Sequence, residues 1–298
     1  MDFVTEIARY LPKDFWECIE SLTDFDKISE IRFSLDKPAL VSYGAKIRVI
    51  KKNGSPAVTD KGFFSFVISK LTGGSMYSVN DTMRLGYVTI DGGHRVGICG
   101  SAVTDANAIK HIKDISSLCF RFCRQIRGCS GKLFSDIVSF DAINNILIAS
   151  PPGCGKTTLL RDICRVIADG KTPLGIKRVG IADERGEIAA MCFGRPRFDL
   201  GVASFVCDAY PKAYAMNLML RSMSPDVLAT DEIGTKEDFD AVRQCLKSGV
   251  SVIATAHGSD MEDILYRFGN EIKSFDIVAF LKGKGEVSRI YRREKGDY

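Results

Sequence analysis

Residues 145–168 constrain this chain more than any other stretch. Asn145-Ile146-Leu147-Ile148-Ala149 is a short apolar run, Ser150 to Thr158 is a loop holding two glycines, and Leu159 to Ala168 has helical spacing. The order matches the phosphate-binding signature GxxxxGK[ST], with Ser150 in place of the first Gly. The chemistry explains the residue types at Pro152, Gly153, Cys154, Gly155, Lys156, Thr157 and Thr158. The glycines let the backbone curl so that its N–H groups face a phosphate. A helix starting near Lys156 adds the positive end of its dipole. Lys156 reaches the β- and γ-phosphates of ATP, and Thr157 is a ligand for Mg²⁺. Ser150 shapes the turn and carries no charge, so the loop is expected to survive its presence.

At 298 residues the chain has room for one large domain or two medium ones, and its composition is that of a soluble globular protein. A net charge of +4 is mild: it does not argue for a nucleic-acid partner and does not exclude a membrane-surface role. Ten Cys occur without a Cys-x-x-Cys pair and only three His are present, so reduced thiols are expected rather than a zinc site. The start, Met1-Asp2-Phe3-Val4-Thr5-Glu6, is no signal peptide, and no apolar stretch approaches the ~20 residues of a membrane span.

The pattern predicts a smaller α+β domain over 1–128 and an α/β domain over 129–298, with a linker around 124–132 marked by Gly128-Cys129-Ser130-Gly131. In the first part, Phe3, Ile7, Ala8 and Phe15, Ile19, Leu22 have helical spacing. Pro38–Tyr43 and Lys46–Ile50 flank Gly44-Ala45 as a hairpin, and Thr59 is placed to cap a helix carrying Phe63, Phe66, Val67 and Leu71. Met83–Ile90 and His94–Cys99 form a second hairpin around Asp91-Gly92-Gly93. Alternation over Leu118–Cys123 turns Arg121 away from the buried face.

The second part alternates strands (145–149, 176–182, 227–230, 250–255) with helices, which implies a mostly parallel sheet. Pro211 suits a first helical turn, Thr235 with Asp238 resembles a capping box, and 276–281 with 287–291 reads as a late hairpin. Ligands of such sheets bind outside the carboxyl ends of the strands. Four strands end there in polar residues: the glycine loop, Asp183-Glu184-Arg185, Asp231-Glu232, and Ala256-His257-Gly258. Asp231-Glu232, about 75 residues beyond Lys156, is the expected second half of a P-loop ATPase. Asp231 holds Mg²⁺ through water and Glu232 polarises the attacking water. Asp183-Glu184 either orients water near the ion or forms a solvated turn, and His257 senses the γ-phosphate or bonds a neighbour.

The matching stretches run through most of the chain in order. They are Gly86–Ile90 with Gly93–Gly97, Ile115-Ser116-Ser117, Pro151–Thr158, Asp183-Glu184-Arg185, Met223–Asp226 with Asp231–Gly234, and Thr255–Gly258. On these residues the chain resembles the stage III sporulation protein AA family, sporulation ATPases related to the type II and type IV secretion ATPases. Ser150, Ala229-Thr230 and Gly186 depart from the pattern. The resemblance implies a RecA-like P-loop ATPase domain preceded by a smaller α+β N-terminal domain. It places an acidic box at Asp183-Glu184, a histidine box at His257, and nucleotide-reaching arginines at Arg95 and Arg121, with Arg124 behind them. It further implies a cytoplasmic ring, a hexamer, docked on membrane channel proteins between mother cell and forespore. The rival reading, a nucleic-acid-dependent translocase on the same core, is weakened because no dense basic stripe with interleaved aromatics is present. Retention of Lys156, Asp231 and Glu232 together argues against a scaffold with little turnover.

Overall fold

The computed structural model describes residues 5–23, 27–44, 46–73, 86–90, 94–105, 108–122, 125–139, 141–191, 194–283 and 285–293. The expected turn at Asp91-Gly92-Gly93, Cys123, Arg124 and the Glu294-Lys295 tail lie outside the described residues. The chain divides into two compact units, Met1–Arg124 and Gln125–Tyr298.

The first unit is built on a six-stranded antiparallel sheet. Its order is Lys46–Val49, Leu40–Tyr43, Glu30–Ser34, Ala108–Arg121, Arg95–Asp105, Tyr87–Thr89. Period-two alternation puts Ile31, Phe33, Val96, Ile98, Leu118 and Phe120 on one buried face. The helices Lys13–Glu20 and Lys61–Leu71 supply the cover, and Phe63 stacks 4.6 Å from Phe15 and 4.7 Å from Phe33, centroid to centroid. The residue that caps the second helix is Asp60, not Thr59. The Asp60 carboxylate accepts the Phe63 N–H at 2.8 Å, while the buried Thr59 hydroxyl donates to the Ser34 carbonyl at 2.6 Å. A carboxylate at the positive helix end outcompetes the hydroxyl one position earlier.

The second unit carries a seven-stranded sheet. Its order is Ser204–Asp208, Val179–Asp183, Val227–Thr230, Ser251–His257, Ile146–Ser150, Ile277–Leu281, Val287–Arg292. All pairings are parallel except the last. The central strands read as continuous apolar runs because both faces are covered. Ile146 and Ile148 pack with Leu159, Leu160 and Ile163 of the helix Lys156–Ala168. Leu147 and Ala149 face the opposite layer, with Met216, Met219, Phe239, Val242 and Ile264. Each such aliphatic side chain contributes roughly 1.5–3 kcal/mol of burial. The Thr235–Asp238 capping box is present in full ahead of the helix Lys236–Lys247. Ser204–Asp208 is a strand that the periodicity did not mark.

Candidate active site

The strand register brings the polar tips to one edge. Ser150 pairs with His257, Ala182 with Thr230, and Thr230 with Ala254. Asp183 and Asp231 therefore lie side by side just past their paired neighbours, with His257 and the glycine loop beyond. In that loop Gly153 (φ 75°) and Gly155 (φ 93°) sit in the left-handed region, where a side chain would strain the turn. The helix Lys156–Ala168 begins at Gly155 without a side-chain cap. Gly155 has no side chain to occupy the first N–H groups, which suits an anion cradle. Pro152 and Gly153 are exposed, and Cys154, Thr157 and Thr158 are half-buried along the same loop and first turn. The tip of the last hairpin touches the loop, the Gly285 N–H donating to the Cys154 carbonyl at 2.6 Å.

Lys156 is buried and its ammonium donates to the Ser150 and Pro151 carbonyls at 3.1 and 3.3 Å. It also lies 3.1 Å from His257 Nδ1. Burial lowers its pKa, with Glu232 and Asp231 opposing the shift. An ammonium can only donate, so Nδ1 is the acceptor and the imidazole proton sits on Nε2. From there it donates to Glu232 Oε1 at 3.0 Å. The other Glu232 oxygen accepts from Arg185. Lys156, His257, Glu232 and Arg185 thus form one hydrogen-bonded line across four strand tips, with both ends donating towards the Glu232 carboxylate. Each carboxylate oxygen keeps a lone pair for a water molecule.

The Asp231-Glu232 backbone is held tightly. Glu232 adopts φ 48°, a conformation costing roughly 1–3 kcal/mol for a residue with a side chain. Its N–H donates to Thr255 Oγ1 at 2.8 Å, and Lys212 Nζ donates to the Asp231 and Glu232 carbonyls, each at 2.8 Å. Asp231 is 1% exposed, and among the described residues neither of its carboxylate oxygens has a hydrogen-bond partner. Burial pushes its pKa up to about 7, with Asp183 adding to the shift and Lys212 opposing it. A buried carboxylate left without a partner is costly, and a divalent cation would satisfy it. Magnesium suits the donor set, since it takes one or two carboxylates together with phosphate oxygens and waters. Asp231 and the Thr157 hydroxyl are the residues that would hold it.

Two expected residues have other partners. The Asp183 carboxylate accepts the backbone N–H groups of Glu187, Ile188 and Ala189 at 2.8–3.2 Å. Burial raises its pKa against those bonds. Both oxygens are occupied in shaping the rim loop. Glu184 lies 3.4 Å from Lys212 Nζ. The sequence reading placed Arg185 on the rim without a role of its own and missed Lys212. Lys212 carried one usable signal: a lysine opening a helix opposes the dipole, which asks for a specific partner. In the first unit, Arg95 and Arg121 are directly opposite each other on adjacent strands. Arg121 is exposed, and the Arg95 guanidinium lies 4.4 Å from the Tyr87 ring centroid.

The fold and these tips define a RecA-like P-loop ATPase fold with a smaller α+β N-terminal domain. Solved structures bear this out. The Legionella pneumophila ATPase DotB is similar with a TM-score of 0.63 at 15% identity, over 91% of this chain and 76% of that one. The pilus retraction motor PilT, solved with bound ADP, is similar with a TM-score of 0.59 at 15% identity, over 95% of this chain and 82% of that one. The chain belongs to the family described as "Sporulation stage III, protein AA", which matches residues 5–297. Stage III sporulation protein AA of Bacillus subtilis (strain 168) is 36% identical over 301 aligned residues, spanning 98% of this chain and 96% of that protein.

Proposed function

We propose that this protein hydrolyses ATP with magnesium as a motor of the secretion-ATPase type, powering a mother cell–forespore channel during endospore formation. In this reading residues 129–298 are the ATPase domain and residues 1–128 the N-terminal domain. It works in the cytoplasm as a homo-oligomeric ring, a hexamer, docked on membrane channel proteins. Among the described residues no helix is long and apolar enough to cross a membrane. The observation that carries the reading is the line Lys156–His257–Glu232–Arg185 beside the unpartnered Asp231.

The residues divide the work as follows. The loop from Pro152 to Thr158 binds the phosphates through its N–H groups, and Lys156 leaves its own loop carbonyls to reach the β- and γ-oxygens. Magnesium, when bound through Thr157 and Asp231, supplies charge neutralisation at the phosphates. Glu232 orients a water and takes its proton, steadied by His257 Nε2–H and Arg185. The transferred group also needs cations that the strand tips do not supply. Arg95 and Arg121, directly opposite each other on adjacent strands, are the two cations assigned to that need in this reading. Asp183 and Glu184 keep the rim in place.

The test is phosphate release by the full chain at graded magnesium and protein concentrations, for wild type and Arg121→Ala. Specific activity should rise with protein concentration and vanish without magnesium. Arg121→Ala should bind ATP normally and turn over about 10³-fold more slowly. Turnover that ignores both protein concentration and the Arg121 substitution would contradict the ring-dependent part of the reading.

A further inference from the structure

We propose that Lys212 is a positioning residue that sets the Asp231-Glu232 backbone, so that one carboxylate faces the magnesium position and the other faces His257. The inference rests on the ATPase reading above. Lys212 opens the helix Lys212–Ser222 and is 7% exposed. A lysine at the positive end of a helix, out of water, is unfavourable unless its three protons are used. Two of them go to the main-chain carbonyls of Asp231 and Glu232 at 2.8 Å each, and Glu184 Oε2 stands 3.4 Å away. Among the described residues no helix or sheet ladder claims those two carbonyls. Lys212 takes them at the point where Glu232 turns into the left-handed region.

The Glu232 residue is therefore gripped from both ends. Thr255 Oγ1 accepts its N–H at 2.8 Å, the Thr255 carbonyl accepts the Ile233 N–H at 2.8 Å, and Lys212 holds its carbonyl. Releasing the carbonyl end lets the peptide rotate towards an unstrained φ. The two carboxylates would then swing off their targets. A shift of about 1 Å at a reacting group is enough to lose on the order of 10²-fold in rate. Ground-state contacts to the nucleotide come from the loop Pro152–Thr158 on a different strand and should persist.

The experiment uses the full chain carrying Lys212→Met, Lys212→Arg or Thr255→Val. It reads three things: phosphate release, binding of a fluorescent ATP analogue at stepped magnesium, and thermal melting. Lys212→Met should lower kcat by at least about tenfold while KM for ATP stays within about twofold. The magnesium concentration that half-saturates its effect on analogue binding should rise by about fivefold or more. Lys212→Arg, which can donate to both carbonyls, should keep more than about a third of kcat. Thr255→Val removes the opposite grip and should give the same kinetic signature, which keeps the test decisive if Lys212→Met does not fold. A folded Lys212→Met with wild-type kcat and an unmoved magnesium midpoint would overturn the role of Lys212 alone. A wild-type chain without turnover would overturn the ATPase reading beneath it.

Discussion

Lys156 Nζ and His257 Nδ1 are 3.1 Å apart, although 101 residues separate them in the chain. The strand pairing of Ser150 with His257 makes the contact possible. It also gives His257 a fixed tautomer, because the ammonium can only donate. Lys156 is therefore joined through one imidazole to Glu232. A nucleotide that drew Lys156 away would remove the donor from Nδ1 and be felt at Glu232.

Lys156→Ala should weaken nucleotide binding about tenfold to a hundredfold, since charge-assisted hydrogen bonds are worth roughly 1.5–3 kcal/mol each and every 1.4 kcal/mol is tenfold. Titration with a fluorescent ADP analogue measures this. Unchanged affinity would mean that the ammonium does not turn to the phosphates.

The Asp231 carboxyl has a folded-state pKa of about 7 against an ordinary 3.8, with burial as the main cause. The unfolded chain therefore loses this proton near 3.8, while the folded chain keeps it until about 7. Proton linkage then makes this group's contribution to stability fall as pH rises through that window. Asp231→Asn removes the titration. Its melting temperature relative to wild type, measured without nucleotide or magnesium, should climb between about pH 4 and pH 7 and level off above. A gap independent of pH would contradict the buried, unpartnered state of Asp231.

Much of this was legible in sequence, for identifiable reasons. Strand, glycine loop and helix at 145–168 form a local pattern, and the Thr235–Asp238 capping box lies within one turn. The co-location of Asp231 and His257 with the glycine loop followed from the rule that parallel sheets gather ligands at their carboxyl edge. What stayed hidden depends on tertiary contact. Ser204–Asp208 is a half-buried edge strand with polar ends, so alternation was weak. Asp183 turned out to serve three backbone N–H groups of a following loop whose path no spacing rule gives. Arg185 and Lys212 matter through where they reach, Glu232 and the Asp231-Glu232 carbonyls.

Asp162 makes a contrast with Asp231, being buried but well partnered. It accepts the Ser130 and Gly128 N–H groups at 2.8 and 3.0 Å and the Ser130 hydroxyl at 2.7 Å, and pairs with Arg165 at 2.6 Å. Burial pushes its pKa up, but these bonds outweigh it and hold the group at about 2. Its stabilisation is present above the ordinary 3.8 and is lost as pH falls towards about 2. Asp162→Ala should cost about 3–5 kcal/mol at neutral pH, because the Gly128 and Ser130 N–H groups lose their acceptor and the buried Arg165 keeps only Asp169, at 3.5 Å. Urea unfolding reads this directly. The exposed Arg178 guanidinium, paired with the half-buried Asp226, is a control, where Arg178→Ala should cost under about 1 kcal/mol.

The central claim is that Glu232 activates water for ATP hydrolysis at this edge. Steady-state phosphate release with magnesium and ATP, compared between wild type and Glu232→Gln, tests it most directly. The amide keeps the shape and can still hydrogen-bond, but it is a poor proton acceptor. Turnover should fall by about 10²-fold or more while ATP-analogue binding is preserved. A Glu232→Gln chain that releases phosphate at the wild-type rate would contradict the account.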